Sequence, residues 1–180
     1  MRVADAARNE TTGSAWAAVI EFPVMQVGLR CADECLTGIV YLPRTTPLRS
    51  PRSALAERAA RQIERYRDDP DASFDLPLAP AGSAFQRAVW AQISAIGRGC
   101  TRTYGELAKI LAANPRVVGQ ACGDNPYPVV VPCHRVVAAD GLGGFSHHSS
   151  GFLIEAKTWL LRHECPSLEQ QPGSLWHSVN

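Results

Sequence analysis

Residues 67–82, RDDPDASFDLPLAPAG, carry Pro70, Pro77 and Pro80 and show no helical period, so no continuous helix can run through them. The chain differs in kind on the two sides of this break. Before it, the stretch WAAVIEFPVMQVGLRCADECLTGIVYL (16–42) alternates and is rich in β-formers. Turn-formers at Pro23 and at Ala32-Asp33-Glu34 cut it into two or three strands of a small antiparallel sheet. PRTTPLRSP then reads as a loop, and SALAERAARQIERYRDD as a helix with Leu55, Ala59, Ile63 and Tyr66 on one face and Ser53 as N-cap.

After the break the pattern is mostly helical. SAFQRAVWAQISAI places Phe85, Val89, Ile93 and Ile96 on one face, with Ser83 as its cap. TYGELAKILAAN forms a short helix, and Pro115 opens another, PRVVGQACGDN, stopped by Gly123 and Asn125. Two short helices joined through AANP have the outline of a helix-turn-helix, or more generally of a helical hairpin. PYPVVVP reads as a short extended run, AADGLGGFSHHSSG as a long loop, and FLIEAKTWLLRHE as a helix burying Leu153, Ala156, Trp159 and Leu160. The expected class is α+β. Residues 14–80 form an α/β unit with its linker, 81–165 a second, mostly helical unit, and 166–180 a disordered tail. The first dozen polar residues are expected to fray.

The 180 residues, 46% hydrophobic and 19% charged, suffice for a buried core, and no apolar run approaches the roughly 20 residues of a membrane span. The start, MRVADAARNE, has acids and no apolar h-region, which predicts a cytoplasmic protein without membrane association. Net charge is only +1, but Arg87, Arg98, Arg102, Lys109 and Arg116 face a single acid, Glu106, between residues 87 and 116. That excess offers a phosphate-facing surface. Six cysteines in such a chain are read as reduced thiols. Cys31 and Cys35 have the spacing of a zinc half-site, but no second half-site follows, so no metal site is assigned.

The chemistry concentrates in VVVPCHRVVA. Pro132 fixes its own φ and pushes Val131 out of the helical region, which pins the backbone where Cys133 begins. A cysteine attacks as thiolate and needs a base or a positive environment. His134 is that base, and because adjacent side chains diverge, a water is expected between thiol and imidazole. A carboxylate behind the histidine would hold its tautomer, and Glu164, at the end of the last helix, is the candidate. Taken alone, this chemistry leaves a reactive thiol and a merely buried one equally open.

VPCHRVV resembles the active-site sequence of the O6-alkylguanine-DNA alkyltransferases, the methylated-DNA–protein-cysteine methyltransferases. FQRAVWAQISAI, TYGELAK, RVVGQACGDNP, GLGGFS and KTWLLRHE follow that family's order and approximate spacing over residues 81–165. The resemblance implies a small amino-terminal sheet and helix of ribonuclease H-like layout, then a helical domain with a helix-turn-helix. It implies direct-reversal DNA repair, in which Cys133 takes the alkyl group from O6 of a flipped guanine and is consumed. His134, through a water, and Glu164 would draw off the thiol proton. Arg116 matches the finger that fills the gap in the stack. Tyr104 matches the tyrosine beside the flipped base, and Asn125 the brace between recognition helix and active site. The backbone at Val136 and Ser146 would frame the guanine. The implied partner is duplex DNA carrying O6-alkylguanine, with O4-alkylthymine a further substrate. The protein would be a monomer needing no cofactor, since the substrate is itself the alkyl donor.

The sequence departs from the pattern in four places. HHSSGF lengthens the loop that borders the pocket, and so bears on the alkyl groups admitted. Phe145 stands where tyrosine is common, Gly97 where proline is common, and Arg116 directly follows Asn114-Pro115. The first alternative is a lesion sensor of the alkyltransferase-like type, which keeps the fold but lacks the reactive cysteine. Cys133 argues against it. An unrelated Cys–His hydrolase would need a separated base and an oxyanion site, and no histidine has a better claim than His134.

Overall fold

Alternation along residues 16–42 sorts side chains onto two faces of a three-stranded antiparallel sheet, order β1 (Ala18–Glu21), β2 (Gln26–Ala32), β3 (Cys35–Leu42). The computed structural model describes residues 16–166; the polar start, and all but the first residue of the expected tail, lie outside them. Ala18, Ile20, Val27, Leu29, Ile39 and Tyr41 point to the main core. Trp16, Val19 and Leu42 form a smaller cluster on the opposite face. Gly28 lies beneath that cluster, where a Cβ would come within 2.7 Å of both Trp16 and Leu42, so only glycine lets the indole lie on the sheet. Asp33 turns the β2–β3 hairpin with φ 51°.

Helix α1 (Ala54–Asp68) packs on the core face of the sheet, capped by the Ser53 hydroxyl. Its buried stripe is Ala56, Ala59, Ala60, Ile63 and Tyr66. Leu55, expected on that stripe, is half-buried, and its neighbour Ala56 is the buried residue of that turn. The prolines of the connector act as foreseen, since no helix runs between Asp68, the end of α1, and Ala84. Leu36 N–H donates to Pro77 O, and Ala79 N–H donates to Leu36 O, so the connector runs along the edge of β3.

Helix α2 (Ala84–Ser94) begins in a capping box of Ser83 and Gln86 and leans on α4 (Pro115–Gly123) through Trp90 Nε1–H to Ala121 O, 2.7 Å. Between them lies α3 (Tyr104–Ile110), capped by Thr103 and Glu106. α3 and α4, joined over residues 111–114, are the helix-turn-helix pair. A parallel two-residue pairing of β4 (Arg102–Thr103) with β5 (Val136–Val137), unforeseen in the residue pattern, fixes the start of α3 beside the PCHR turn.

PYPVVVP is a turn and not the expected extended run. Val129 has φ 74° and Val131 N–H returns to Tyr127 O at 2.8 Å. Pro126, Pro128 and Pro132 have no N–H to give a strand ladder. Helix α5 (Phe152–Glu164) closes the fold, burying Leu153, Ala156, Lys157, Leu160, Leu161 and Glu164. Trp159, expected to be buried, is half-exposed and stacks on His163, ring centroids 4.7 Å apart. Lys157 occupies the inward position instead, its ammonium satisfied by carbonyls. One buried cluster runs from the sheet through Tyr66 to Val118 and Leu160. No helix among the described residues is long and apolar enough to cross a membrane.

The α3 end carries a local conflict. Ala113 N–H donates to Ala108 O and Ala112 N–H to Lys109 O, which closes a Schellman motif with Ala112 at φ 47°. Glycine is the residue without a steric penalty there. Ala112→Gly is expected to raise stability by about 0.5–1 kcal/mol, read as a higher denaturant midpoint with unchanged m-value.

Candidate active site

The turn Cys133–Arg135 is a single 3-10 turn between Pro132 and β5. It holds Cys133 at 5% exposure against a cavity of about 310 Å³ lined by Tyr104, Cys122, Phe145, Ser146 and His147. Burial pushes the Cys133 thiol above its ordinary pKa, opposed by the Asn125 amide, the Lys157 ammonium and the backbone N–H groups of Cys133 and His134. At rest the sulfur is therefore a protonated thiol surrounded by groups that favour the thiolate.

His134 is fully buried behind the cysteine, and its Nε2 lies 2.9 Å from Glu164 Oε1. Glu164 also accepts from Arg135 Nε at Oε2 and from Arg135 Nη2 and Tyr66 OH at Oε1, each at 2.8 Å. Burial would raise the Glu164 pKa, but the hydrogen bonds of His134 and Arg135 outweigh it and hold the carboxyl well below its usual range. An ionised carboxylate only accepts, so His134 Nε2 carries the proton and Nδ1 bears the lone pair. Nδ1 is buried with no hydrogen-bond partner among the described residues. Burial lowers the His134 pKa against the pull of Glu164, so the ring is neutral near pH 7. The arrangement is a thiol, a neutral base with an unused lone pair, and an anion placed to stabilise that base once it is protonated.

Asn125, at the end of α4, braces the 125–131 turn by donating from Nδ2 to Val131 O at 2.8 Å and accepting Tyr127 N–H at Oδ1, 3.0 Å. Tyr104 opens α3 with its ring in the cavity wall and its hydroxyl donating to Gly144 O at 3.1 Å. Burial raises its pKa, so it remains a donor. Val136 is buried in β5, while Ser146 is half-buried at the cavity rim with φ 47°. Arg116 is exposed on the first turn of α4, outside the thiol cluster. Of the basic residues read as a phosphate surface, Arg98 is committed elsewhere, bonding the Pro70 carbonyl and the Asp71 carboxylate. Among the described residues no three His, Cys, Asp or Glu side chains are grouped to hold a metal, Cys31 and Cys35 included.

The sequence reading passed over four residues that the fold brings to the site. Arg135 adjoins the pair it serves, and its charge beside a buried acid was a usable signal. Lys157 sits among inward positions of α5, and a lysine on an apolar face is the sign that it is bonded inside. Its ammonium donates to Val136 O and Leu142 O at 2.7 Å and to Gly144 O at 3.0 Å, and burial pulls its pKa down to about 8. Tyr66 reads only as part of the apolar stripe of its helix, and nothing local joins it to Glu164, 98 residues away. His147 belongs to the lengthened loop. Its Nε2 lies 2.9 Å from Asp124 Oδ1, and Asp124 Oδ2 accepts from Gln86 Nε2 at 2.9 Å, which latches the loop to the ends of α4 and α2.

Comparison with known proteins places the chain among named relatives. A family model described as the DNA binding domain of 6-O-methylguanine DNA methyltransferase matches residues 84–165. The methylated-DNA–protein-cysteine methyltransferase of Methanosarcina acetivorans is 36% identical over 155 residues, 82% of this chain and 96% of the relative. That of Mycolicibacterium paratuberculosis is 38% identical over 130 residues, 68% of this chain and 78% of the relative. The crystal structure of Mycobacterium tuberculosis O6-methylguanine methyltransferase superposes with a TM-score of 0.68 at 31% identity, covering 87% of this chain and 94% of that one. Mycobacterium tuberculosis OGT in complex with DNA gives 0.66 at 33% identity over 81% and 90%. The resemblance extends through the amino-terminal sheet as well as the thiol-bearing half, and the chain belongs to the methylated-DNA–protein-cysteine methyltransferase family.

Proposed function

We propose that this protein repairs DNA by direct reversal, moving the alkyl group of O6-alkylguanine onto Cys133 in a single turnover. The observation that carries this reading is the buried thiol facing a cavity, with the neutral His134 and the ionised Glu164 stacked behind it. The thiol proton passes to His134 Nδ1, directly or over one water, and the imidazolium is held by Glu164. The sulfur then attacks the alkyl carbon in line. The S–C bond forms, the C–O6 bond breaks, and its electron pair moves into the guanine ring, which takes up a proton. The alkyl donor is the substrate, so the residues described need no further carrier. Position 133 holds a thiol, which disfavours the lesion-sensor reading.

A base inside a duplex cannot reach a thiol at the bottom of a cavity, so the lesion must leave the stack. The α3–α4 pair supplies the DNA surface. Arg116, at the exposed start of α4, enters the gap left by the flipped base. Tyr104 turns its hydroxyl from Gly144 to a ring nitrogen, and the backbone at Val136 and Ser146 frames the guanine edge. Asn125 keeps the thiol turn fixed to α4 while this happens. O4-alkylthymine presents the same alkyl–oxygen bond and is a second substrate. Binding rests on phosphate contacts from Arg87, Arg102, Lys109 and Arg116, which gives modest, salt-sensitive affinity with little sequence preference. The protein acts as a monomer in the cytoplasm.

Three outcomes test this reading. Intact-mass spectrometry after mixing with an O6-methylguanine duplex should show one methyl group gained on Cys133. Cys133→Ala should show no gain while still binding the duplex. Binding without any mass change in the unaltered protein would favour the sensor. Arg116→Ala should slow repair of duplex much more than reaction with the free alkylated base, and equal loss on both would remove Arg116 from the flipping role. The latched His147 ring lines the cavity beside the thiol. His147→Ala should therefore raise the benzyl-to-methyl ratio of transfer rates by about tenfold, whereas an unchanged ratio would dissociate the latch from adduct size.

A further inference from the structure

Tyr66 lies on α1, before the proline connector, yet its side chain reaches Glu164 at the end of α5. Ala59, Ile63 and Tyr66 continue one buried stripe, which carries the last turn of α1 past the sheet to the end of α5. The residue is held at both ends. Its carbonyl accepts His163 Nε2 at 2.6 Å, its ring meets His163 edge-on at 5.3 Å, and Phe74 packs against its ring at 5.6 Å. A phenylalanine would satisfy all of that packing. The hydroxyl does something phenylalanine cannot, because it donates at 2.8 Å to Glu164 Oε1, the same oxygen that receives His134 Nε2–H.

Resting on the transfer mechanism above, we propose that Tyr66 is a positioning residue of the reaction: its hydroxyl holds Glu164 Oε1 in place and sets how much of that oxygen's charge is left for His134. Burial beside a carboxylate keeps the phenol protonated, so it donates throughout the working pH range. A carboxylate oxygen shared among Tyr66, Arg135 and His134 stabilises the imidazolium less than one shared between Arg135 and His134 alone. The amino-terminal half is thereby part of the proton relay. The charged and titratable groups facing this site are His134 and Arg135 on the thiol turn, Arg98 near the phenol, Lys157 and His163 on α5, and Tyr41 on β3. Replacing the Tyr66 hydroxyl deletes none of these groups, so a moved limb reports the lost donor.

The test is the single-turnover rate of methyl transfer from a saturating O6-methylguanine duplex, measured on the full chain from about pH 5 to about pH 9. In Tyr66→Phe the acid limb, which reports the proton on His134, should move up by about half a pH unit or more, with duplex affinity unchanged. Incorporating 3-fluorotyrosine at position 66 keeps the packing and makes the hydroxyl a stronger donor, so the limb should move down. Ile63→Val loosens the same helix without touching Glu164, and should lower the melting temperature while leaving the profile in place. An unmoved limb in both Tyr66 variants, or an equal shift in Ile63→Val, would overturn the proposal while leaving transfer to Cys133 intact. Absence of transfer in the unaltered protein would overturn the mechanism as well.

Discussion

A carboxylate taken out of water is tolerated only where donors replace its hydration, and Glu164 receives four hydrogen bonds, from Tyr66, His134 and twice from Arg135. Arg135 in turn donates to Ile96 O at 2.5 Å, just beyond α2. The ends of α1, α2 and α5 and the thiol turn are all referred to this one side chain. Loss of the Arg135 guanidinium would leave a buried charge undercompensated, worth about 3–5 kcal/mol. The geometry that fixes the His134 ring and the packing that brings α1 to the end of α5 are thus one constraint.

Lys157 lies two helical turns before that acid on the same face of α5. It gathers the carbonyls of Val136, Leu142 and Gly144, tying the strand after the thiol turn to the loop that walls the cavity. Gly144 O is shared between Lys157 and Tyr104, so the wall and the start of α3 move together. A positive group and a negative group on one helix bracket the thiol turn, and burial depresses the pKa of the first to about 8.

Much of this was legible in the order of residues because local rules govern it. The Ser53 and Ser83 caps, the alternation of 16–42, the Pro115 start of α4 and the proline break at 67–82 each follow from backbone chemistry that acts over a few positions. Cys133, His134 and Glu164 could be named because thiol chemistry demands a base and an anion, and the fold brings them together. The turn at 126–132 was misread because valines favour strands, whereas three prolines and the Asn125 brace decide the backbone there. Tyr66, the β4–β5 pairing and the Asp124–His147 latch join segments far apart in the chain, and no short-range pattern encodes them.

The latch has a further consequence at Gly123. A Cβ on that residue would lie 2.5 Å from His147 Cε1 and 2.7 Å from both ring nitrogens, so the imidazole occupies the space a side chain would need. A larger residue at 123 evicts the ring and unfastens the loop. Losing the ring leaves room there for a larger residue. The two positions are therefore sterically coupled: in relatives that carry the lengthened loop, glycine at the end of this helix and histidine in the loop should be kept or lost as a pair.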